Sequence, residues 1–144
     1  MAGVGSYFST LDISVSGMKS ERVRMDVVLS NLANVNTTRT PEGGPYRRRQ
    51  VVFQSMLADA YEKGVMPGRG VEVTEISLDD SEFIRIHRPG HPDADADGYV
   101  MLPNISTAEE MADLMSASRA HEANSAAFRV TRDMFKRALE LGRG

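Results

Sequence analysis

The chain has 144 residues, of which 41% are hydrophobic and 6% aromatic, with no tryptophan or cysteine. This is little apolar material for a compact core, and it favours long helices that complete their burial against partners. The net charge of −3 argues against a nucleic-acid surface, and the lack of cysteine excludes disulfides, thiolate catalysis and cysteine metal sites.

Residues 1–36 predict a long N-terminal helix that begins between Ser6 and Thr10 and ends near Asn34, with loose residues before it. Apolar side chains recur along it at alternating spacings of four and three, which is typical of one strip of a coiled coil. Such a strip cannot be buried within its own helix, so it predicts a partner helix. This N-terminal stripe consists of Val4, Phe8, Leu11, Val15, Met18, Arg22, Met25, Leu29 and Leu32.

Residues 37–105 predict an extended linker and a small β-containing outer domain. Proline and glycine residues mark turns at 41–45, 64–70 and 89–98, because they end helices and permit tight bends. Between these turns we expect an antiparallel β element with long connections. Its predicted strands are Tyr46–Gln54, Val71–Ile76, Phe83–Ile86 and Tyr99–Leu102.

Residues 106–144 predict a C-terminal helix, which Ser106 and Glu109 open as a capping box and Gly142 ends. Two seams run along this helix, and a helix that is apolar on two sides contacts more than one neighbour. A simple two-helix hairpin remains possible, but the pattern favours a multi-subunit assembly. The first seam holds Met111, Leu114, Ser118, His121, Ser125, Phe128, Arg132, Phe135 and Leu139, and the second holds Ala120, Ala123, Ala127, Val130, Met134 and Leu141.

The segment Asp93–Gly98 reads DADADG, which matches the opening of an EF-hand calcium loop. Position twelve of that loop should be a bidentate glutamate, but it is Asn104 here, and prolines replace the entering helix. We therefore expect a polar turn without calcium. His87 and His91 lie four residues apart, but Pro89 between them disfavours the helical geometry of a zinc pair.

The basic run Arg47–Arg49 suggests phosphate or nucleic-acid contact only weakly, because strand alternation would place its three side chains on two faces. A solvated or interface charge cluster is the preferred interpretation. His121 is expected to form a hydrogen bond between helices. No catalytic constellation is present in the sequence, so we expect neither an enzyme nor a cofactor or metal site.

The segment Ser30–Thr37 reads SNLANVNT, which resembles the SNLANxxT signature of the bacterial flagellar rod and hook proteins. In that family the signature follows an amphipathic segment, as it follows Val15–Arg22 here. Three further segments are similar to the FlgC type, the proximal rod proteins, and the similarity runs nearly end to end, with a departure at 55–67. These segments lie at Pro45–Gln54, Pro89–Val100 and Met115–Asn124.

This resemblance implies a mainly α fold with a small β insert, in which the N- and C-terminal helices form an inner coiled-coil domain and the β element faces outward. Copies would pack into the hollow proximal rod of the flagellar basal body, a drive shaft that crosses the periplasm, transmits torque and passes exported subunits. The implied partners are copies of the chain, other proximal and distal rod proteins, the adaptor that joins the rod to the MS ring, and the flagellar type III export apparatus.

The sequence shows no run of apolar residues long enough to span a bilayer and no pattern of a cleaved signal peptide. The resemblance implies export through the type III apparatus without cleavage, which is consistent with the lack of such a pattern. We expect no bilayer insertion and no nucleic acid. The assembly interface is predicted to comprise Phe8, Leu11, Val15, Met18, Met25, Leu29, Asn31, Leu32, Asn34, Met111, Leu114, Phe128, Phe135 and Leu139.

A free-standing coiled-coil adaptor is the alternative function. A peptidoglycan-cleaving enzyme would suit a location in the rod, but the chain lacks the catalytic residues for it. We also expect the helix ends to be largely disordered in the monomer and to fold on assembly, because an isolated hairpin would leave an apolar seam in water.

Overall fold

The computed structural model describes residues 3–56 and 70–142, with side chains from residue 10 onward. Along the chain, a long helix is followed by four short strands and then by a second long helix. The elements are α1 (Gly3–Ala33), β1 (Arg49–Ser55), β2 (Val71–Leu78), β3 (Ile84–His87), β4 (Tyr99–Leu102) and α2 (Thr107–Leu141). The predicted fold class, two packed terminal helices with a small antiparallel β insert, is confirmed.

Both helices end close to their predicted positions, but α1 begins at Gly3, several residues before the predicted start. The reason is that no proline interrupts the first ten residues, so the low helix propensity of Gly3 and Gly5 does not stop the helix. Ser106 caps α2, its hydroxyl oxygen accepting a hydrogen bond from the backbone N–H of Glu109 at 3.4 Å. Gly142 forms the other cap in a right-handed conformation.

The four strands form two separate two-stranded sheets, whereas a single β element was predicted. β1 pairs with β2 in antiparallel register from Arg49 opposite Leu78 to Ser55 opposite Val71, with a bulge between Val52 and Phe53. β3 pairs with β4. Strand alternation predicts each strand but not which strands pair, because pairing depends on where the helices hold the ends of the strands.

The β1–β2 hairpin lies along α1 and is attached to it near both of its ends. The hydroxyl of Ser16 accepts a hydrogen bond from the Val71 N–H at 3.1 Å, and that of Ser20 donates to the Val71 carbonyl at 3.3 Å. Gly70 has φ +106°, and a Cβ atom there would collide with the Ser16 hydroxyl. Residues 57–69, which precede Gly70, lie outside the described residues, and so do most of the predicted turn at 64–70 and most of the departure at 55–67.

The turn between β3 and β4 is the predicted polar turn. Asp95 accepts hydrogen bonds from the backbone N–H groups of Tyr99 (2.8 Å) and Asp97 (3.0 Å) and from Arg85 (3.1 Å). These bonds, the Tyr99 N–H first, lower the pKa of Asp95. Asp93 accepts a hydrogen bond from Thr38 at 2.8 Å, so two of the acidic side chains of this turn bind donors of the protein itself.

Candidate assembly site: a polar seam and exposed apolar faces

Asn31, in the last turn of α1, is 1% exposed and uses its full hydrogen-bonding capacity. Its amide nitrogen donates to the Arg49 carbonyl (2.9 Å) and to Glu110 Oε2 (3.0 Å). Its amide oxygen accepts from the Arg49 N–H (2.9 Å) and from the Tyr46 hydroxyl (3.1 Å). The side chain therefore pairs with both the N–H and the carbonyl of Arg49, as the backbone of a neighbouring strand would. Through these bonds Asn31 connects α1, the start of β1 and α2.

Glu110, in the first turn of α2, is a fully buried carboxylate with two partners. Besides Asn31, it accepts a hydrogen bond from Arg48 Nε at 2.6 Å. Asp79 and Asp113 each lie 3.8 Å from the same guanidinium. Burial opposes the charge of Arg48, but the hydrogen bond and ion pair with Glu110, with help from the two aspartates, raise the pKa of Arg48. We call Asn31, Arg48 and Glu110 the polar clasp.

Two more contacts continue the seam between the helices toward the start of α1. Arg24 donates a hydrogen bond to Asp113 at 2.9 Å. Farther along, a Cβ atom at Gly17 would lie 2.8 Å from Asn124 Nδ2, so glycine allows the two helices to approach closely here. Ala117, between these points on α2, is completely buried.

These contacts show that the face of α1 toward α2 carries small and polar residues, beside two buried valines, Val27 and Val28. Gly17, Arg24 and Asn31 lie seven residues apart, and each comes one residue before a member of the N-terminal stripe. One residue is about 100° on a helix. The stripe therefore lies about 100° around α1 from Gly17, Arg24 and Asn31, which make the described contacts with α2.

The N-terminal stripe flanks this seam and is largely half-buried. Leu29 is 48% exposed, and Arg22 is exposed as well. The side chains of Val4 and Phe8 lie outside the described residues. The remaining members are of intermediate exposure: Leu11, Val15, Met18, Met25 and Leu32.

On α2, six of the nine residues of the predicted first seam are partly buried. Leu114, His121, Phe128 and Phe135 are partly buried at intervals of seven. Ser118 and Ser125 are partly buried as well, whereas Met111, Arg132 and Leu139 are exposed. The most deeply buried residues on this side of α2 are Glu110 and Ala117, each one residue before a predicted position. In the described part of the chain the His121 ring forms no hydrogen bond, so the predicted interhelical bond is wrong.

The predicted second seam lies on the side of α2 that faces away from α1, and we call it the outer face of α2. Val130, Met134 and Leu141 are 58%, 60% and 84% exposed. Exposed alanines at 123 and 127 continue this face, while Ala120 at its edge is half-buried. Large apolar side chains in a row on one helix face indicate a surface that another protein covers.

The residues that sequence reasoning missed are the charged and hydroxyl groups of the seam. These residues are Arg24, Glu110, Ser16 and Ser20, whose types usually lie on the exposed side of an amphipathic helix. A signal was present, since Arg24 lies midway between Gly17 and Asn31 in a strict seven-residue repeat. Asn34, by contrast, is one of the predicted interface residues. It lies at the end of α1, where its amide nitrogen donates to the Ser30 carbonyl at 2.9 Å and its amide oxygen accepts from the Thr37 hydroxyl.

The three arginines at 47–49 have different partners, although β1 begins only at Arg49, so strand alternation is not the cause. Arg47 stacks over Phe83 with its guanidinium 4.7 Å from the ring centre, and Arg49 lies 5.6 Å from that of Tyr46. Arg48, on the other side, belongs to the clasp. The described residues include no group of acidic and histidine side chains that could hold a metal ion, and none of their helices is long and apolar enough to cross a membrane.

Comparison with known proteins gives matches along nearly the whole chain. Residues 11–39 match the family described as "Flagella basal body rod protein", and residues 96–141 match "Flagellar basal body rod FlgEFG protein C-terminal". The chain is 42% identical to the flagellar basal-body rod protein FlgC of Borreliella burgdorferi, over 95% of its own length and 98% of that protein. It is 43% identical to FlgC of Bacillus subtilis (94% and 98%) and 37% identical to FlgC of Salmonella typhimurium (91% and 94%).

Proposed function

The chain belongs to the FlgC family of flagellar basal-body rod proteins, and on this premise we propose that it builds the proximal rod through the exposed apolar faces of its helices. The family is structural and not enzymatic. Its members are subunits of the rod and assemble with other rod subunits. The proposal adds which surfaces make the contacts and which partners they meet.

The observation that carries the proposal is the exposure of the outer face of α2. Val130, Met134 and Leu141 are each more than half exposed, although a helix in an isolated protein normally turns such side chains inward. Burying one of them fully is worth ~1.5–3 kcal/mol before ordering costs. Several such contacts from each neighbour suffice for a stiff assembly, while a single subunit gains nothing from them.

The proposed interface combines this face with the residues predicted from the sequence. Leu29 and Met111 offer exposed apolar surface on the two helices, and the partly buried members of the stripe extend it. Residues 1–36 and 107–144 each carry equal numbers of acidic and basic groups. Charge balance on the helical segments removes a repulsive barrier to packing many copies together.

The partners in this proposal are copies of the chain, other proximal and distal rod proteins, and the adaptor between the rod and the MS ring. The helices would line the inner wall of a hollow shaft, with the β sheets outside, and the shaft would transmit torque and pass exported subunits through the periplasm. The chain itself would leave the cytoplasm through the flagellar type III export apparatus without cleavage.

The test is to supply Leu29→Asp or Val130→Asp as the only copy in a motile bacterium that carries this protein. Each variant places a carboxylate on an exposed apolar face, so we expect the monomer to keep its helices but the cells to lose completed rods and motility. Ala96→Asp, in an exposed turn away from both helices, is the matched control and should swim normally.

Electron microscopy of purified basal bodies from a strain with a labelled copy separates the two functions. Label in the rod, together with rods that are absent from the Val130→Asp strain, supports the proposal. Normal rods in cells that lack the protein altogether, with label elsewhere, would instead identify a free-standing coiled-coil adaptor.

A further inference from the structure

The seam between α1 and α2 is built from layers that repeat every seven residues on both helices. Gly17 meets Asn124, and Asn31 binds Glu110, so both pairs fit one antiparallel register. That register places Ala117, which is completely buried, opposite Arg24. The layers thus pair glycine with asparagine, arginine with alanine, and an amide with a carboxylate.

The apolar residues beside these layers do not distinguish one register from the next. Met18, Met25 and Leu32 recur at seven-residue intervals on α1, and Leu114, Phe128 and Phe135 lie on the same repeat of α2. A slide of one repeat, about 10 Å along the helix, would again set these apolar side chains against apolar ones, except where His121, which lies between Leu114 and Phe128 on the same repeat, comes opposite one of them. Apolar packing alone would therefore permit several registers.

The polar layers fit only the observed register. A slide in one direction would place Asn31 opposite Ala117 and Arg24 opposite Asn124, so Glu110 would lose its amide donor. A slide in the other direction would bring Arg24 opposite Glu110, but it would leave a gap between Gly17 and Ala117 and carry Asn31 beyond Thr107, where α2 begins, so Asn31 would lose its partner. In both cases a buried polar group is left without its partner, which is strongly unfavourable.

We infer that the Gly17–Asn124, Arg24–Ala117 and Asn31–Glu110 layers are a registry device that selects one alignment of the two helices. The attachment of the hairpin strengthens it, because Arg48 and Arg49 come from the chain at the start of β1 and bind the same layer. The register in turn fixes where the outer face of α2 lies relative to the N-terminal stripe. This inference concerns the helix pair itself and stands whether or not the chain builds a rod.

The chain contains no cysteine, so introduced cysteine pairs report the register directly. Extended by one repeat, the observed register places Thr131 opposite Thr10, which lie seven residues after Asn124 and seven before Gly17. A full-length variant with Thr10→Cys and Thr131→Cys should form an intramolecular disulfide under mild oxidation. Thr10→Cys with Ala138→Cys reports a slide of one repeat and should crosslink poorly.

The decisive variant is Asn31→Leu with Glu110→Leu, which makes the clasp layer apolar like its neighbours. We expect helical circular dichroism to persist, while the yield of the 10–131 crosslink falls at least ~threefold as alternative registers become populated. A rise of the 10–138 crosslink would identify the direction of the slide. Undiminished 10–131 crosslinking with retained helicity would overturn the inference.

A second variant covers the case in which the first loses its helical signal. Gly17→Ala with Asn124→Ala removes the complementarity of another layer without touching a buried charge, and we expect a fall of ~twofold in the 10–131 crosslink. Unchanged crosslinking in this folded variant would equally overturn the inference. Arg22→Leu with Glu122→Leu, both exposed and outside the layers, is the matched control and should behave like the parent.

Discussion

The seam between the two helices and the outer face of α2 reverse the usual distribution of polar and apolar groups. The seam holds Gly17, Arg24, Asn31 and Glu110 with their hydrogen bonds, whereas the outer face exposes valine, methionine and leucine. Hydrogen bonds are directional and apolar contacts are not. A subunit can therefore define its own shape with polar groups and leave its apolar surface for neighbours.

This comparison predicts that disturbing the seam destabilises the monomer, whereas polar substitutions on the outer face do not. The free energy of unfolding, measured in urea on the dilute full-length protein, places three substitutions on one scale.

The largest effect is expected for Arg48→Met. It leaves Glu110 as a buried carboxylate without its cation, a situation that typically lowers the free energy of unfolding by ~3–5 kcal/mol. Adding Glu110→Leu should recover most of this loss, because the uncompensated charge is then gone. A single variant as stable as the parent would mean that the clasp is not a buried ion pair in solution.

An intermediate effect is expected for Gly70→Ala, which tests the attachment of the hairpin to α1. The positive φ and the collision of a Cβ atom with the Ser16 hydroxyl should lower the free energy of unfolding by ~1–3 kcal/mol. Gly90→Ala is the matched control, since no atom lies within 4 Å of its added Cβ, and it should change stability little. Equal effects of the two substitutions would contradict the described contact of Gly70 with Ser16.

The smallest effect is expected for Val130→Ser on the outer face. The side chain is 58% exposed, so its loss should change the free energy of unfolding of the monomer by less than ~0.5 kcal/mol. The same substitution should nevertheless weaken assembly, which sedimentation of concentrated protein can measure. A monomer destabilised as much as by Gly70→Ala would show that this face is buried within the subunit itself.

Much of the fold is predictable from the sequence because its signals are local. The four-three repeat predicts both helices, the capping box at Ser106 marks the start of α2, and alternation in Val71–Ile76 marks β2.

The disorder of the helix ends in the monomer remains a separate hypothesis, and circular dichroism of dilute protein tests it. A signal well below the 31 and 35 helical residues described would support folding on assembly, whereas near-full helicity would contradict it.

By itself, the sequence determined the long helices, the strands and the membership in a rod-protein family, since each rests on short-range patterns or on motifs such as Ser30–Thr37. Only the tertiary structure decided which face of α1 meets α2 and how the strands pair. The physical reason is distance along the chain, because Asn31 finds its partner in Glu110 and Ser16 in Val71. A local sequence pattern indicates how apolar a helix face is, but it does not indicate which distant group will form a hydrogen bond with a polar side chain on that face.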